Sequence, residues 1–239
     1  MTKSAGTISR NASDEPTSDE RKDFVKRLFA VTISVGFATQ LAQIIGHLDP
    51  GSGARHLFAS ITPSQWQELG LLVGSIFAVV LSWEGYLISI HRDPVETRAR
   101  FYLDVIIVFV YLLLMLFSSR SDLWFFTLAV MFGVYLVWDA LKIRERIRRA
   151  KREAKTLEKT TLVKNGLVTT ALWFIVVIAL YYFKFLGTPL GFSLALIAAL
   201  CILVLYRIDK MSGGRGGWPR KLLLLAVPIA LAVLSAKMR

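Results

Sequence analysis

The chain has 239 residues, 54% of them hydrophobic and 19% charged, with a formal net charge of +12. A soluble domain of this size cannot hide so much apolar surface, because surface area grows too fast with mass. The charge alone would suit a nucleic-acid binder, but nearly every Lys and Arg falls in alternate gaps between seven apolar segments, so no nucleic-acid partner is expected.

A helix needs roughly 20 apolar residues to cross the hydrocarbon core. Runs at 24–46, 68–90, 101–118, 123–142, 166–184, 189–206 and 220–237 meet that need. They are continuous, unlike the alternating segments of about 10 residues in a membrane barrel. The expected fold is an all-α integral membrane protein, a bundle of about seven transmembrane helices. Residues 24–237 form that domain, and the polar leader 1–23 is expected to be disordered.

The leader mixes Asp14, Glu15, Asp19, Glu20 and Asp23 with basic residues. It lacks the simple basic start of a signal peptide, so the first helix is expected to be retained. Thr32, Gly36, Thr39 or Gln40, Gln43 and His47 lie on one face of that helix. Such a stripe lines a pore or joins helices through small and amide side chains. The outer loop 47–61 carries His47, Asp49 and His56, three scattered residues expected to be solvated, with no metal bound. Thr62-Pro63-Ser64-Gln65 reads as a capping box for the second helix.

Charged groups inside a membrane cost about 2.5–3.5 kcal/mol each on insertion scales. Glu84 lies two helical turns before His91, among Val80, Leu81, Leu87 and Ile88, with no local partner. It is expected to face the bundle or a wet cavity. In the third helix Asp104 sits one turn from Arg100, and in the fourth Asp139 precedes Lys142 by three residues, so both acids have local basic neighbours. Tyr111 follows Asp104 by seven residues and Tyr135 precedes Asp139 by four. Trp83-Glu84 recurs as Trp138-Asp139, a hint of two repeated hairpins. Between the third and fourth helices, Ser121 is expected to cap the latter.

From 141 to 160 a basic helix extends the fourth span. Its apolar residues Ile143, Ile147, Ala150, Ala154 and Leu157 recur at spacings of 4, 3, 4 and 3, and Glu145 faces Arg149. With Arg148, Arg149 and Arg152 it can contact anionic lipids at the membrane face, a second copy of the chain in a homo-oligomer, or a cytoplasmic protein partner. Gly187-Thr188-Pro189 stops one helix and caps the next, with Pro in its first turn. Cys201, the single cysteine, is expected to pack as a small hydrophobe. Gly213 to Gly217 read as a linker before Trp218-Pro219.

Only Arg55, Arg120, Lys184, Lys237 and Arg239 fall outside the gaps that a cytoplasmic N-terminus would place inside. The positive-inside rule then predicts an N-in, C-out topology, with a plasma or inner membrane as the setting. No Ser-His or Cys-His pair shares one depth, so no catalytic residues and no cofactor are expected. The function expected is a non-enzymatic channel or transporter subunit for an ion or small polar solute, with Glu84 at its polar centre. Asp104, Asp139, Tyr111, Tyr135, Gln40 and Gln43 are the further candidates. The alternative is a membrane-anchored scaffold that recruits a partner through the basic helix.

Overall fold

The computed structural model describes residues 17–46, 62–92, 97–152, 158–182, 189–211 and 226. Among them the chain forms α1 (Ser18–Gly46), α2 (Pro63–Arg92), α3 (Arg98–Leu116), α4 (Ser121–Arg152), α5 (Glu158–Tyr182) and α6 (Pro189–Met211). Five of these are long and apolar enough to cross a membrane, while the apolar part of α5, Gly166–Tyr181, is shorter. The seventh expected segment, 220–237, lies outside the described residues apart from Ala226.

Local sequence sets the helix starts. At α2 the Thr62 amide donates to Gln65 Oε1 at 2.7 Å and the Gln65 amide donates to Thr62 Oγ1 at 3.4 Å, the reciprocal pair of a capping box. The same device opens α1: the Thr17 amide donates to Glu20 Oε2 and the Glu20 amide to Thr17 Oγ1. Helix α1 therefore begins at Ser18 and takes in the end of the leader, which had been expected to be disordered through residue 23. Pro189 opens α6 as expected. Ser121 does not cap α4. The Arg120 carbonyl accepts the first helical bond, from the Trp124 amide, which puts Ser121 inside the first turn.

Side-chain pairs fix the helix directions. Phe24 meets Phe101 and Gln40 meets Ser118, so α1 runs parallel to α3. Tyr86 bonds Asp104 and Ser75 bonds Leu114, which makes α2 antiparallel to α3. Tyr111 with Tyr135, Asp139 with Thr170, and Glu84 with Arg207 continue the alternation through α6. Helices α2, α3, α4, α5 and α6 pack in chain order, and α6 closes back on α2. Helix α1 packs outside this ring, against α3 and α2. The basic ends of α2, α4 and α6 thus gather at the same end as the starts of α3 and α5.

Part of the ring interior is an apolar core, with Trp124, Phe132, Leu114, Met115, Leu128 and Ile202 buried. Trp124 donates its indole N–H to Ser75 Oγ at 2.7 Å, which satisfies the polar edge of a buried ring. Large apolar side chains such as Val80, Phe109, Ile106 and Ile175 point outward. In water such a surface would drive aggregation; in a bilayer it is the solvated face.

The polar stripe of α1 serves packing. Thr32, Gly36 and Gln40 are buried, whereas Thr39 and Gln43 are exposed. The Gln40 amide accepts from Ser118 Oγ at 2.8 Å and donates to the Leu116 carbonyl at 3.3 Å, pinning α1 to the end of α3. A Cβ on Gly36 would lie 3.0 Å from Leu112 and 3.1 Å from Met115. Gly36→Leu is therefore expected to destabilise by about 1–3 kcal/mol through overpacking, while Val35→Leu on the exposed face changes little. Thermal unfolding of the two purified variants checks this, and equal midpoints would refute the seam.

Candidate functional site

Three helix faces with the same spacing build the site. Ser82, Gly85 with Tyr86, and Ser89 follow one another on α2; Tyr135, Trp138 with Asp139, and Lys142 on α4; Leu203, Tyr206 with Arg207, and Lys210 on α6. Offsets of three, four and seven residues put each set on one side of its helix. The three faces, with Ile107 and Tyr111 of α3, line a partly open cavity of about 210 Å³.

Tyrosines line the part of the cavity farther from the basic end. The hydroxyls of Tyr111 and Tyr135 lie 2.8 Å apart, and the rings of Tyr135 and Tyr206 are parallel within 8° at 6.1 Å between centroids. Nearer the basic end the wall is charged. Asp139 accepts from Thr170 Oγ1 at 2.6 Å and from the Lys210 ammonium. Lys142 donates to Ser89 Oγ at 2.7 Å and sits 5.1 Å from the centre of the Trp138 ring. Pairing of this kind is what makes a buried charge tolerable, since an unpaired one is strongly destabilising.

Arg207 is the most constrained cation of the wall. Its Nε donates to Glu84 Oε2 at 3.4 Å. A Cβ on Gly85 would come within 2.6 Å of its Nη1, so the guanidinium occupies space that only a glycine at this position of α2 leaves open. Its Nη2 is buried and has no hydrogen-bond acceptor among the described residues.

Behind Trp138 lies a second polar cluster. The Trp138 indole N–H donates to Asp104 Oδ1 at 2.8 Å and the Tyr86 hydroxyl to Asp104 Oδ2 at 3.3 Å. Arg100, which is fully buried, places its guanidinium 4.9 Å from the Trp138 ring centre and donates to Glu145 Oε2 at 3.2 Å. Glu145 also accepts from the hydroxyl of Thr97, the N-cap of α3. Arg100 thus forms a salt bridge with Glu145 on the neighbouring helix α4, and Asp104 accepts from two neutral donors.

Of the candidates named from sequence, Tyr111, Tyr135 and Asp139 meet at the cavity. Asp104 stands behind its wall. Glu84 has a partner after all, Arg207, and its side chain is 53% exposed on the far side of that guanidinium. Gln40 and Gln43 are on α1, away from the cavity. The acids of the repeated Trp-acid dipeptides both pair with α6, at positions three residues apart. Arg207 and Lys210 were missed because they were read only as topology signals, although with Leu203 and Tyr206 they share the seven-residue spacing of the other two faces.

In the basic helix, α4 extends to Arg152 and a separate helix starts at Glu158, with 153–157 outside the described residues. Ile143 and Ile147 are half-buried and Arg148 is exposed; Leu157 and the side chains of Arg149 and Arg152 lie outside the description. The glycine-rich linker and the loop with His47, Asp49 and His56 lie outside it too. Among the described residues no group of three His, Cys, Asp or Glu is placed to hold a metal ion. No protein-family model, curated protein or solved structure matches this chain.

Proposed function

We propose that this is a seven-span, N-in and C-out membrane protein that takes a small polar solute into the cavity between α2, α3, α4 and α6, acting as a channel or transporter subunit without catalysis. One observation carries the proposal. The membrane-spanning bundle holds a cavity whose wall presents Asp139, Lys142, Arg207 and Lys210. Charges in such a place are costly and mark substrate or ion paths. The polar centre moves from Glu84 to the Asp139–Lys210 pair, because Glu84 braces Arg207 from outside the cavity.

Uptake of a panel of labelled ions and small solutes into proteoliposomes of the purified protein tests this. Wild-type protein should carry at least one member of the panel, and absence of all flux would reject the proposal. Topology is tested separately. A reporter inserted near Gly214 should read cytoplasm and one fused after Arg239 should read outside. A cytoplasmic C-terminus would reject the seven-span arrangement.

A second reading, a scaffold docking a partner or anionic lipid through the basic helix, is favoured by the exposure of Arg144 and Arg148 on α4. Replacing both Ile143 and Ile147 with Ser should then release a co-purifying partner or reduce particle mass by light scattering. Unchanged mass and composition would count against it.

A further inference from the structure

We propose that the cavity recognises a phosphate group, carried by a free solute or by a lipid headgroup. This rests on the cavity being a solute site and names the chemistry it selects.

The wall holds three cations, Lys142, Arg207 and Lys210, against a single carboxylate, Asp139. Glu84, Asp104 and Glu145 offset the formal charge of the neighbourhood, yet none of them lines the cavity. Their oxygens already accept from Arg207, from Tyr86 and Trp138, and from Thr97 and Arg100. Asp139 is likewise occupied, by Thr170 and Lys210. What the wall offers is donors.

Arg207 sharpens this. Its Nε is turned to Glu84, its Nη1 rests over Gly85, and its buried Nη2 has no acceptor among the described residues. A buried guanidinium N–H without an acceptor is costly, and a small shift of the Arg207 side chain toward the cavity it lines would let an oxyanion satisfy it. A carboxylate brings two acceptor oxygens. A phosphate brings three or more, which suits a wall with three cationic side chains better. At about 210 Å³ the cavity has room for a phosphate group with attached water or a small ester substituent.

The test uses full-length protein in neutral detergent, with radiolabelled inorganic phosphate in equilibrium dialysis. Saturable binding is expected, with acetate a weaker competitor. Lys142→Gln and Arg207→Gln should each weaken it about tenfold or more, the usual size of a lost charge-assisted hydrogen bond. Gly85→Val keeps every charge but displaces the guanidinium, and should also weaken binding. Arg120→Gln, an exposed residue at the opposite end, should not. Competition by phosphatidic acid in mixed micelles, with none by phosphatidylcholine, would identify a lipid headgroup as the source; no competition by either identifies a free solute.

Absence of saturable phosphate binding to folded wild-type protein overturns the inference, as does equal binding by Arg207→Gln and Gly85→Val. Cysteine labelling separates that failure from failure of the cavity itself. In a Cys201→Ala background, Ser82→Cys should react with water-soluble methanethiosulfonate reagents, the anionic one faster than the cationic one. Labelling with the reverse preference rejects phosphate and keeps a solute site. No labelling by either rejects both.

Discussion

Replacing Glu145 with alanine is expected to destabilise the protein by about 3–5 kcal/mol, the usual cost of leaving one partner of a buried pair behind. The partner is Arg100, whose side chain has no exposed surface. Its position worsens the loss. Arg100 lies in the first turn of α3, where the partial positive charge of the helix start disfavours a cation. Glu145 compensates for both, and it also receives the hydroxyl of the Thr97 cap. Denaturant unfolding of the purified variant measures the loss. The double variant Arg100→Met/Glu145→Leu should regain most of it, because well-packed apolar replacements of buried ion pairs are often neutral. A single variant as stable as the parent would show that the pair contributes nothing.

The second large effect is expected at Asp139 and separates support from function. Asp139→Ala removes the acceptor of both Lys210 and Thr170, and a loss of about 3–5 kcal/mol should follow for the stranded ammonium. Pairing it with Lys210→Met removes the stranded charge and should restore most of the stability. Transport has a different requirement. If the pair handles solute, the restored double variant remains at least tenfold slower in proteoliposome uptake, about 1.4 kcal/mol or more in the barrier. Recovery of flux together with stability would reduce the pair to a structural brace.

The helices themselves were legible. Apolar runs of spanning length, the Thr62 to Gln65 box and Pro189 each act within a few residues, and sequence displays such local causes directly. The pairing of charges was not. Asp104 stands one turn from Arg100, and an i, i+4 partner is the natural inference, but Arg100 reaches across to Glu145 on α4 while Tyr86 and Trp138 serve Asp104. The Glu84 carboxylate looked alone because every helical neighbour is apolar; its partner is on a helix that no sequence periodicity brings beside α2. Gln40 was open to two readings. A polar stripe on an apolar helix looks alike whether it faces a cavity or another helix, and only the packing of α1 against α3 decides between them.

The closure of α6 onto α2 and α4 also sets a problem of timing. Glu84 precedes Arg207 by 123 residues and Asp139 precedes Lys210 by 71. At a synthesis rate of 5–20 residues per second, the first acid waits about 6–25 s for its countercharge. During that wait α2 and α4 carry carboxylates that are costly in an apolar layer unless drawn toward its surface. The nascent helices therefore have reason to stay near the membrane face, or under the care of an insertion factor, until α6 arrives. A chain interrupted before Pro189 would keep Glu84 without Arg207 and Asp139 without Lys210.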